Sequence, residues 1–297
     1  MLEFIASDMD GTLLDQTLEI PQENIDAIKE TYSLGIPFVV CTGRNFKEAK
    51  IPLDNAGIRC PIIGLNGAIQ FDRDGQVEFE IALDDDQAKR ILAMGYDRGF
   101  YLEAMTAENV YSSSREDRIK MIATLIVAQN PELSLEEASQ RATQSHEVDS
   151  IEYRDNLADL IDKEGQKIVK ITFVDPAGQP ALAATWNDLE ASYQDIYITS
   201  SFFYNMEVSH KTATKGEAIK RYAEAHGYNL DKTMTIGDNY NDVPMLEIAG
   251  YSYAMGNAEE GVFKHAKYRT ESNRHAGVAK AIERSLAMTQ TREKFNQ

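Results

Sequence analysis

Short apolar runs that stop abruptly at polar residues recur along the first part of the chain. Residues 2–7 (LEFIAS) form one such run and end at Asp8. Periodicity alone does not separate a buried strand from a buried helix in so short a run. Its length, the Phe4-Ile5 pair and the polar stop favour a strand. A helical stretch opens at Pro21, with Ile25 and Ile28 on one face and Gly35 as its C-terminal stop. The unit then repeats. Residues 36–40 (IPFVV) run into Cys41-Thr42-Gly43-Arg44, residues 45–54 read as helix, and residues 60–65 run into Asn66-Gly67. Strand–helix–strand–helix–strand is the pattern of a parallel sheet with covering helices. Residues 68–83 alternate instead, as a hairpin around Asp74-Gly75.

From about residue 84 the texture changes. Helical stretches at 84–98, 116–129, 134–145 and 176–192 are interleaved with β-rich pieces at 100–103, 109–113, 167–174, 194–199 and 202–207. This reads as an antiparallel sheet carrying helices. The acidic stretch 130–165 is weakly patterned and yields no firm elements. After about residue 208 the first texture returns. A helix at 215–225 stops at Gly227, and a strand at 233–236 ends in Gly237-Asp238. A helix at 244–249, a strand at 251–255 and a last helix at 274–287 follow. The pattern predicts an α/β fold. A Rossmann-like parallel-sheet core is split across 1–82 and 208–297, and an α+β unit, 83–207, is inserted between its halves.

Length and charge narrow the reading. A chain of 297 residues matches about two domains. Lys plus Arg is 30 and Asp plus Glu is 48, a net charge of −18. That balance argues against nucleic acid or an anionic membrane as the main partner, since both need a basic face. An anionic substrate stays open, because a local cation site inverts the local field. Cys41 and Cys60 sit beside apolar runs and form no CxxC pair, as expected of reduced cysteines. The acidic start is unlike a signal peptide, and no run approaches the roughly 18 apolar residues of a membrane span. The expectation is a soluble, cytoplasmic protein; its oligomeric state is not indicated.

Three polar clusters fall at predicted carboxyl ends of strands, the edge where open α/β sheets bind ligands. They are Asp8-Met9-Asp10, Thr42-Gly43-Arg44 and the run from Gly237 to Asp242. Asp8 and Asp10 repel each other unless a proton or cation relieves them, and hard oxygens suit Mg²⁺; a turn-capping aspartate ahead of Gly11-Thr12 explains them equally simply. Thr42 fits either a helix N-cap or, with the Gly43 amide, a phosphate contact. Lys215 fits either a solvated lysine or an anion-binding point charge. Asp242 fits an N-cap ahead of Pro244 or a supporting carboxylate. Arg44 reads as an exposed salt-bridge partner, and Asn66-Gly67 as a turn before the hairpin. The scattered histidines lack metal spacing.

The run DMDGTLL at 8–14 resembles the first motif of the haloacid dehalogenase (HAD) superfamily. VVCTGR supplies the Thr of a second motif, TATKGEAI the Lys of a third, and TIGDNYNDVPML at 235–246 resembles its G-D-x-x-N-D signature. The insert's position is similar to that of the Cof-type sugar-phosphatase branch, and Asn66-Gly67 resembles that branch's NGA turn. The resemblance implies a HAD-like core with an α/β cap and a Mg²⁺-dependent phosphatase acting on small phosphorylated metabolites, sugar phosphates among them. It implies that Asp8 is nucleophile and metal ligand. Asp10 is the acid/base, held at a higher pKa than Asp8, with its carbonyl on the metal. Met9, Thr42, Gly43, Lys215 and Asn241 bind phosphate, Asp238 is the remaining metal ligand, and Asp242 supports it. The cap is implied to close over the site and read the leaving group. A phosphomutase of the same superfamily and a non-enzymatic phosphometabolite-binding regulator remain alternatives.

Overall fold

A computed structural model describes residues 2–130, 132–200 and 203–295. The stretch predicted at 202–207 therefore begins outside the described residues, as does the side chain of His146. In chain order the elements begin with β1 (Phe4–Ser7), α1 (Gln22–Ser33), β2 (Phe38–Cys41), α2 (Phe46–Asn55), β3 (Ile62–Gly64), β4 (Ile69–Phe71) and β5 (Val77–Glu80). Next come α3 (Asp85–Asp97), β6 (Tyr101–Met105), β7 (Val110–Ser112), α4 (Arg115–Gln129), α5 (Leu135–Thr143), α6 (His146–Asp149), β8 (Glu152–Tyr153) and α7 (Asp159–Asp162). Then follow β9 (Lys170–Val174), α8 (Gln179–Ser192), β10 (Ile196–Thr199) and β11 (Asn205–His210). The chain ends with α9 (Lys215–His226), β12 (Thr233–Gly237), α10 (Val243–Ile248), β13 (Tyr251–Ala254), β14 (Tyr268–Arg269) and α11 (Gly277–Phe295).

Two compact units result: Met1–Glu80 with Thr212–Gln297, and Ile81–Lys211. The first holds an eight-stranded sheet in the order β14-β13-β12-β1-β2-β3-β4-β5. Its strands run parallel from β14 to β3, and β4 and β5 add an antiparallel edge. Strands with buried residues at every position, such as FIAS and FVVC, need cover on both faces, as parallel sheets do. Ile5, Phe38, Val40 and Ile236 pack toward α1 and α11, against Ile28, Val278 and Ile282. Phe4, Ala6, Val39 and Cys41 pack toward α9 and α10, against Ile219, Tyr222 and Met245. The chain turns one way from β1 to β2 and the other way to β12. β1 is thus the switch point of the sheet, and the carboxyl ends of β12, β1 and β2 open side by side.

The inserted unit is built on a six-stranded sheet, β10-β11-β9-β6-β7-β8, antiparallel except for β7 with β8. One face is apolar: Leu102, Ala104, Ile171, Phe173, Met206 and Val208 pack with Ile91, Leu92, Leu182 and Leu189 of α3 and α8. On the other face the register sets Glu103, Thr172 and Glu207 side by side, all buried. Glu207 pairs with Lys170 at 2.9 Å, and Glu103 with Arg118 of α4. The weakly patterned stretch 130–165 carries α5, α6, β8 and α7, with α4 to α6 gathered around Ile122, Ala138 and Val148. The last strand of the insert runs to His210 rather than stopping at 207. Its buried charged positions interrupt the apolar alternation on which the sequence reading relied. Among the described residues, no helix is long and apolar enough to cross a membrane.

Candidate active site

β1 is wholly buried and ends at Ser7, so the next residue is delivered to the sheet's edge by the chain's own direction. That residue is Asp8, 5% exposed, with its amide on the carbonyl of Ile236 at 3.0 Å. A tight turn over Met9–Leu13 follows, closed by Leu13 N to Asp8 O and Leu14 N to Met9 O. Gly11 takes φ +75 there, and a Cβ on it would stand 2.3 Å from Asp238 Oδ2. Both conditions demand glycine. The same turn sends the Thr12 hydroxyl to Asp238 Oδ1 at 2.7 Å. Asp238 follows β12, which pairs directly with β1, so the two aspartates meet although 230 positions separate them in number.

The run from Gly237 to Asp242 closes the site. Asp242 is fully buried; its Oδ2 accepts from the amides of Asp238 (2.8 Å) and Asn239 (3.0 Å), and its Oδ1 takes Lys215 Nζ at 2.5 Å. The cap ahead of Pro244, one of the two readings open for Asp242, is not formed by this side chain. It turns back on its own loop and caps the short Tyr240–Asp242 turn. Lys215 is not solvated. It is fully buried at the first position of α9, whose N-cap is Thr214, and also donates to Asp8 Oδ1 at 2.6 Å. Asp8, Asp238 and Asp242 bring carboxylate oxygens within 4.8 Å of one another.

Three carboxylates against one ammonium, out of water, repel. Burial first, then the Asp242 charge, push Asp8 well above the usual carboxylate range, against the pull of Lys215. Burial and Asp242 push Asp238 up to about 7. Burial alone would lower Lys215, but Asp242 and Asp8 outweigh it and hold the ammonium above an ordinary lysine. A donor set made only of carboxylate oxygens, with charge left uncompensated, fits a hard divalent cation.

Asp10 is not in that cluster. Its carboxylate is half exposed and is held by Arg44, Nε to Oδ2 at 2.7 Å and Nη2 to Oδ1 at 2.5 Å. A metal contact through Asp10, as the resemblance implies, therefore falls to its backbone carbonyl rather than its side chain. The upward push falls on Asp8 and Asp238, from burial first and then from the Asp242 charge. Met9 is buried within the turn. Thr42 is fully buried after β2; its hydroxyl accepts from Arg44 N at 3.2 Å, and the N-cap of α2 is Asn45, not Thr42. Gly43 follows it in the same loop, and a Cβ there would lie 3.1 Å from Asn66 Oδ1. Asn241 is 9% exposed and donates Nδ2 to Asn66 Oδ1 at 3.1 Å, while its own Oδ1 is buried without a partner.

The structure thus gathers Asp8, Lys215, Asp238 and Asp242, sets the Thr42–Gly43 loop and Asn241 against Asn66, and turns the Asp10 carboxylate aside. Arg44 pairs with Asp10, in keeping with its reading as a salt-bridge partner; two contributors had no assigned role in the sequence: Thr12 on Asp238, and Asn257, whose Nδ2 holds the Gly11 carbonyl at 2.8 Å. Thr12 lies inside the DMDGTLL run and had a signal; Asn257 had none. Both cysteines are buried, which pushes their thiols up, Cys60 to about 12, and leaves them inert. His226, His265 and His275 bond to the Tyr222 carbonyl, Glu247 and Ser272, as structural or surface side chains do.

A sheet with this switch point, an aspartate at the end of its first strand and an acidic loop after a neighbouring strand define a hydrolase of the HAD type. The family model for haloacid dehalogenase-like hydrolases matches residues 5–282, and the chain belongs to that family. It is 30% identical over 290 residues to the phosphatase YwpJ of Bacillus subtilis, covering 96% of this chain and all of that protein. It is 28% identical over 287 residues to that organism's 5-amino-6-(5-phospho-D-ribitylamino)uracil phosphatase YwtE, covering 96% and 99%. Among solved structures, a haloacid dehalogenase-like hydrolase from B. subtilis superposes with a TM-score of 0.82 at 29% identity, covering 95% of this chain and 99% of that one. A HAD subclass IIB sugar phosphatase matches in fold, with a TM-score of 0.70 at 22% identity over 95% and 98%.

Proposed function

We propose that the protein is a Mg²⁺-dependent phosphatase that hydrolyses phosphate monoesters of small metabolites, sugar and polyol phosphates in particular, through an aspartyl-phosphate. The observation that carries this reading is Asp8: a buried carboxylate at a strand end, in contact with Lys215 and crowded by Asp238 and Asp242. Asp8 and Asp238, with the Asp10 carbonyl, are the groups that would hold Mg²⁺. When bound, the ion supplies positive charge against the carboxylates and the phosphoryl oxygens.

The chain's own residues do the rest. An Asp8 oxygen attacks phosphorus; a P–O bond to Asp8 forms as the ester P–O bond breaks, and Asp10 gives its proton to the departing oxygen. A water then attacks the same phosphorus, Asp10 takes its proton, and the bond to Asp8 breaks, releasing inorganic phosphate. Splitting one displacement into two lowers each barrier. Lys215, the Thr42 hydroxyl, the Met9 and Gly43 amides and Asn241 face the phosphoryl oxygens, where preorganised donors contribute most. Arg44 holds Asp10 until substrate arrives.

The choice of leaving group we assign to the inserted unit, which carries none of the side chains named above. A whole-length relative that acts on a ribityl phosphate supports the polyol class. The test is a screen across sugar phosphates, ribityl phosphates, nucleotides and phosphorylated cofactors, with and without Mg²⁺. Hydrolysis of a sugar or polyol phosphate that stops on chelation is the expected result. No phosphate release from any ester by folded, Mg²⁺-supplied protein overturns the reading.

A further inference from the structure

The turn that follows β3 is strained, and it touches the site from two sides. Leu65 (φ 49) and Asn66 (φ 58) are consecutive non-glycine residues in the left-handed region, and both are buried. The left-handed region is unfavourable for Leu65 above all, so the surroundings must over-determine the turn. They do. Leu65 N bonds to Arg44 O at 3.0 Å and Asn66 N to Thr42 O at 2.9 Å. Arg221 Nη2 holds the Gly67 carbonyl at 3.0 Å. Gly67, at φ +103, lies so close to the start of α9 that a Cβ would stand 2.3 Å from the Thr214 carbonyl. One three-residue turn therefore locks onto the Thr42–Gly43–Arg44 loop on one side and the segment opening at Lys215 on the other.

At its centre, Asn66 Oδ1 reaches across to take a hydrogen from Asn241 Nδ2, a residue 175 positions away, and lies against Gly43. That bond fixes the plane of the Asn241 amide and commits one of its two hydrogens. It also leaves Asn241 Oδ1 buried with no donor. An unpaired buried acceptor is costly, so this orientation is enforced rather than relaxed.

We propose that Asn66 is a positioning residue for phosphoryl recognition: it holds the Asn241 amide and the Thr42–Gly43 loop in one fixed register, so that both present donors to the same anion. The proposal rests on the phosphatase reading above and deepens it. It makes Asn66 act through Asn241 and not only through the stability of its own turn.

The test is a double-mutant cycle on the full-length, Mg²⁺-supplied protein. Asn66→Gly keeps a backbone that tolerates positive φ and deletes the amide; Asn241→Ala deletes the partner; the double variant closes the cycle. Two readouts run in parallel: kcat/KM for p-nitrophenyl phosphate, and affinity for inorganic phosphate by calorimetry. Asn66→Gly is expected to lower both by about 10–100-fold, in line with losing one enforced polar contact in the transition state. In the Asn241→Ala background the same change is expected to cost less than about threefold more, because the contact it removes is already gone. Independent, multiplying losses overturn the proposal, as does an unchanged phosphate affinity with only a lower Tm. If Asn66→Gly does not fold, Asn66→Ala enters the same cycle. A wild type that binds phosphate but hydrolyses no ester overturns the phosphatase reading alone, since the coupling is still read from binding.

Discussion

Two buried charge clusters, one in each unit, are built on different arithmetic. In the inserted unit Glu207 faces Lys170 and Glu103 faces Arg118, so each carboxylate has a cation on the same sheet face. In the first unit Asp8 and Asp242 share Lys215, and Asp238 lies beside them. Balanced charge out of water is a solved structural problem, whatever its net worth. Burial, with unbalanced charge added to it, leaves two aspartates pushed upward, and a fold keeps such a place when something else arrives to complete it.

The sharpest way to break the comparison is at the attacking group. Asp8→Asn removes one negative charge from the crowded cluster and the proposed nucleophile together. Turnover is expected to fall by at least about 10,000-fold, with the fold retained by circular dichroism. Substantial hydrolysis by the purified variant would remove Asp8 from its assigned role.

Next comes the missing charge itself. Exhaustive chelation is expected to bring hydrolysis to background and added Mg²⁺ to restore it, because two carboxylates so placed need a cation. Full activity in the chelator would show that Lys215 alone suffices.

The balanced cluster is expected to respond in stability. Lys170→Met strips the buried Glu207 of its lysine and should cost about 3–5 kcal/mol, read as a lower denaturation midpoint. Adding Glu207→Leu should recover most of that loss. Hydrolysis of p-nitrophenyl phosphate by the folded fraction should hardly change. A variant of undiminished stability would mean that this cluster is less buried in solution than here.

The smallest expected effect is in pH dependence. The folded-state pKa of Asp238, about 7, lies above the ordinary value of 3.8. Between these values the native chain binds a proton that the unfolded chain has released, so this group's contribution to stability falls as pH rises from about 4 to 7. The amide of an Asp238→Asn variant has no such proton to lose. In a chelator the Tm of that variant should therefore gain on wild type across the same window, and Mg²⁺ should reverse the gain. A constant difference from pH 4 to 8 would count against the crowding of Asp238.

The contrast also explains what was legible in the sequence. The strands of the first unit announced themselves because burial on both faces writes a short run without charges: FIAS, FVVC and TMTIG each stop where a polar site begins. β11 did so only in part, the predicted piece stopping at 207, because Glu207 and Ser209 are polar and yet buried, and nothing local marks Thr172 or Lys170 as their neighbours. In the acidic stretch 130–165 the helix predicted at 134–145 forms as α5 and packs on α4, while α6, β8 and α7 are too brief to set a period. At the site, residue types at strand ends pointed to a place but not to partners. Lys215 stands 207 positions from Asp8, and only the motif resemblance put it beside that carboxylate. The turn of Asp10 toward Arg44 depends on the geometry of two loops and left no mark in either.

β1 sits between β2 and β12, and that placement has a consequence for how the molecule is made. β2 leaves the ribosome soon after β1, but the strand that completes its other side begins only at Thr233. At synthesis rates of roughly 5–20 residues per second, the edge of β1 waits on the order of ten to fifty seconds for its second neighbour. Through that interval the growing chain carries the first strand of its sheet with an open edge, which is a hazard for pairing with other chains. The insert is the segment made meanwhile, and its antiparallel sheet is complete once His210 has emerged. Asp8 therefore spends most of the protein's birth without Lys215, Asp238 or Asp242, and the cluster they form comes into being only in the last third of translation.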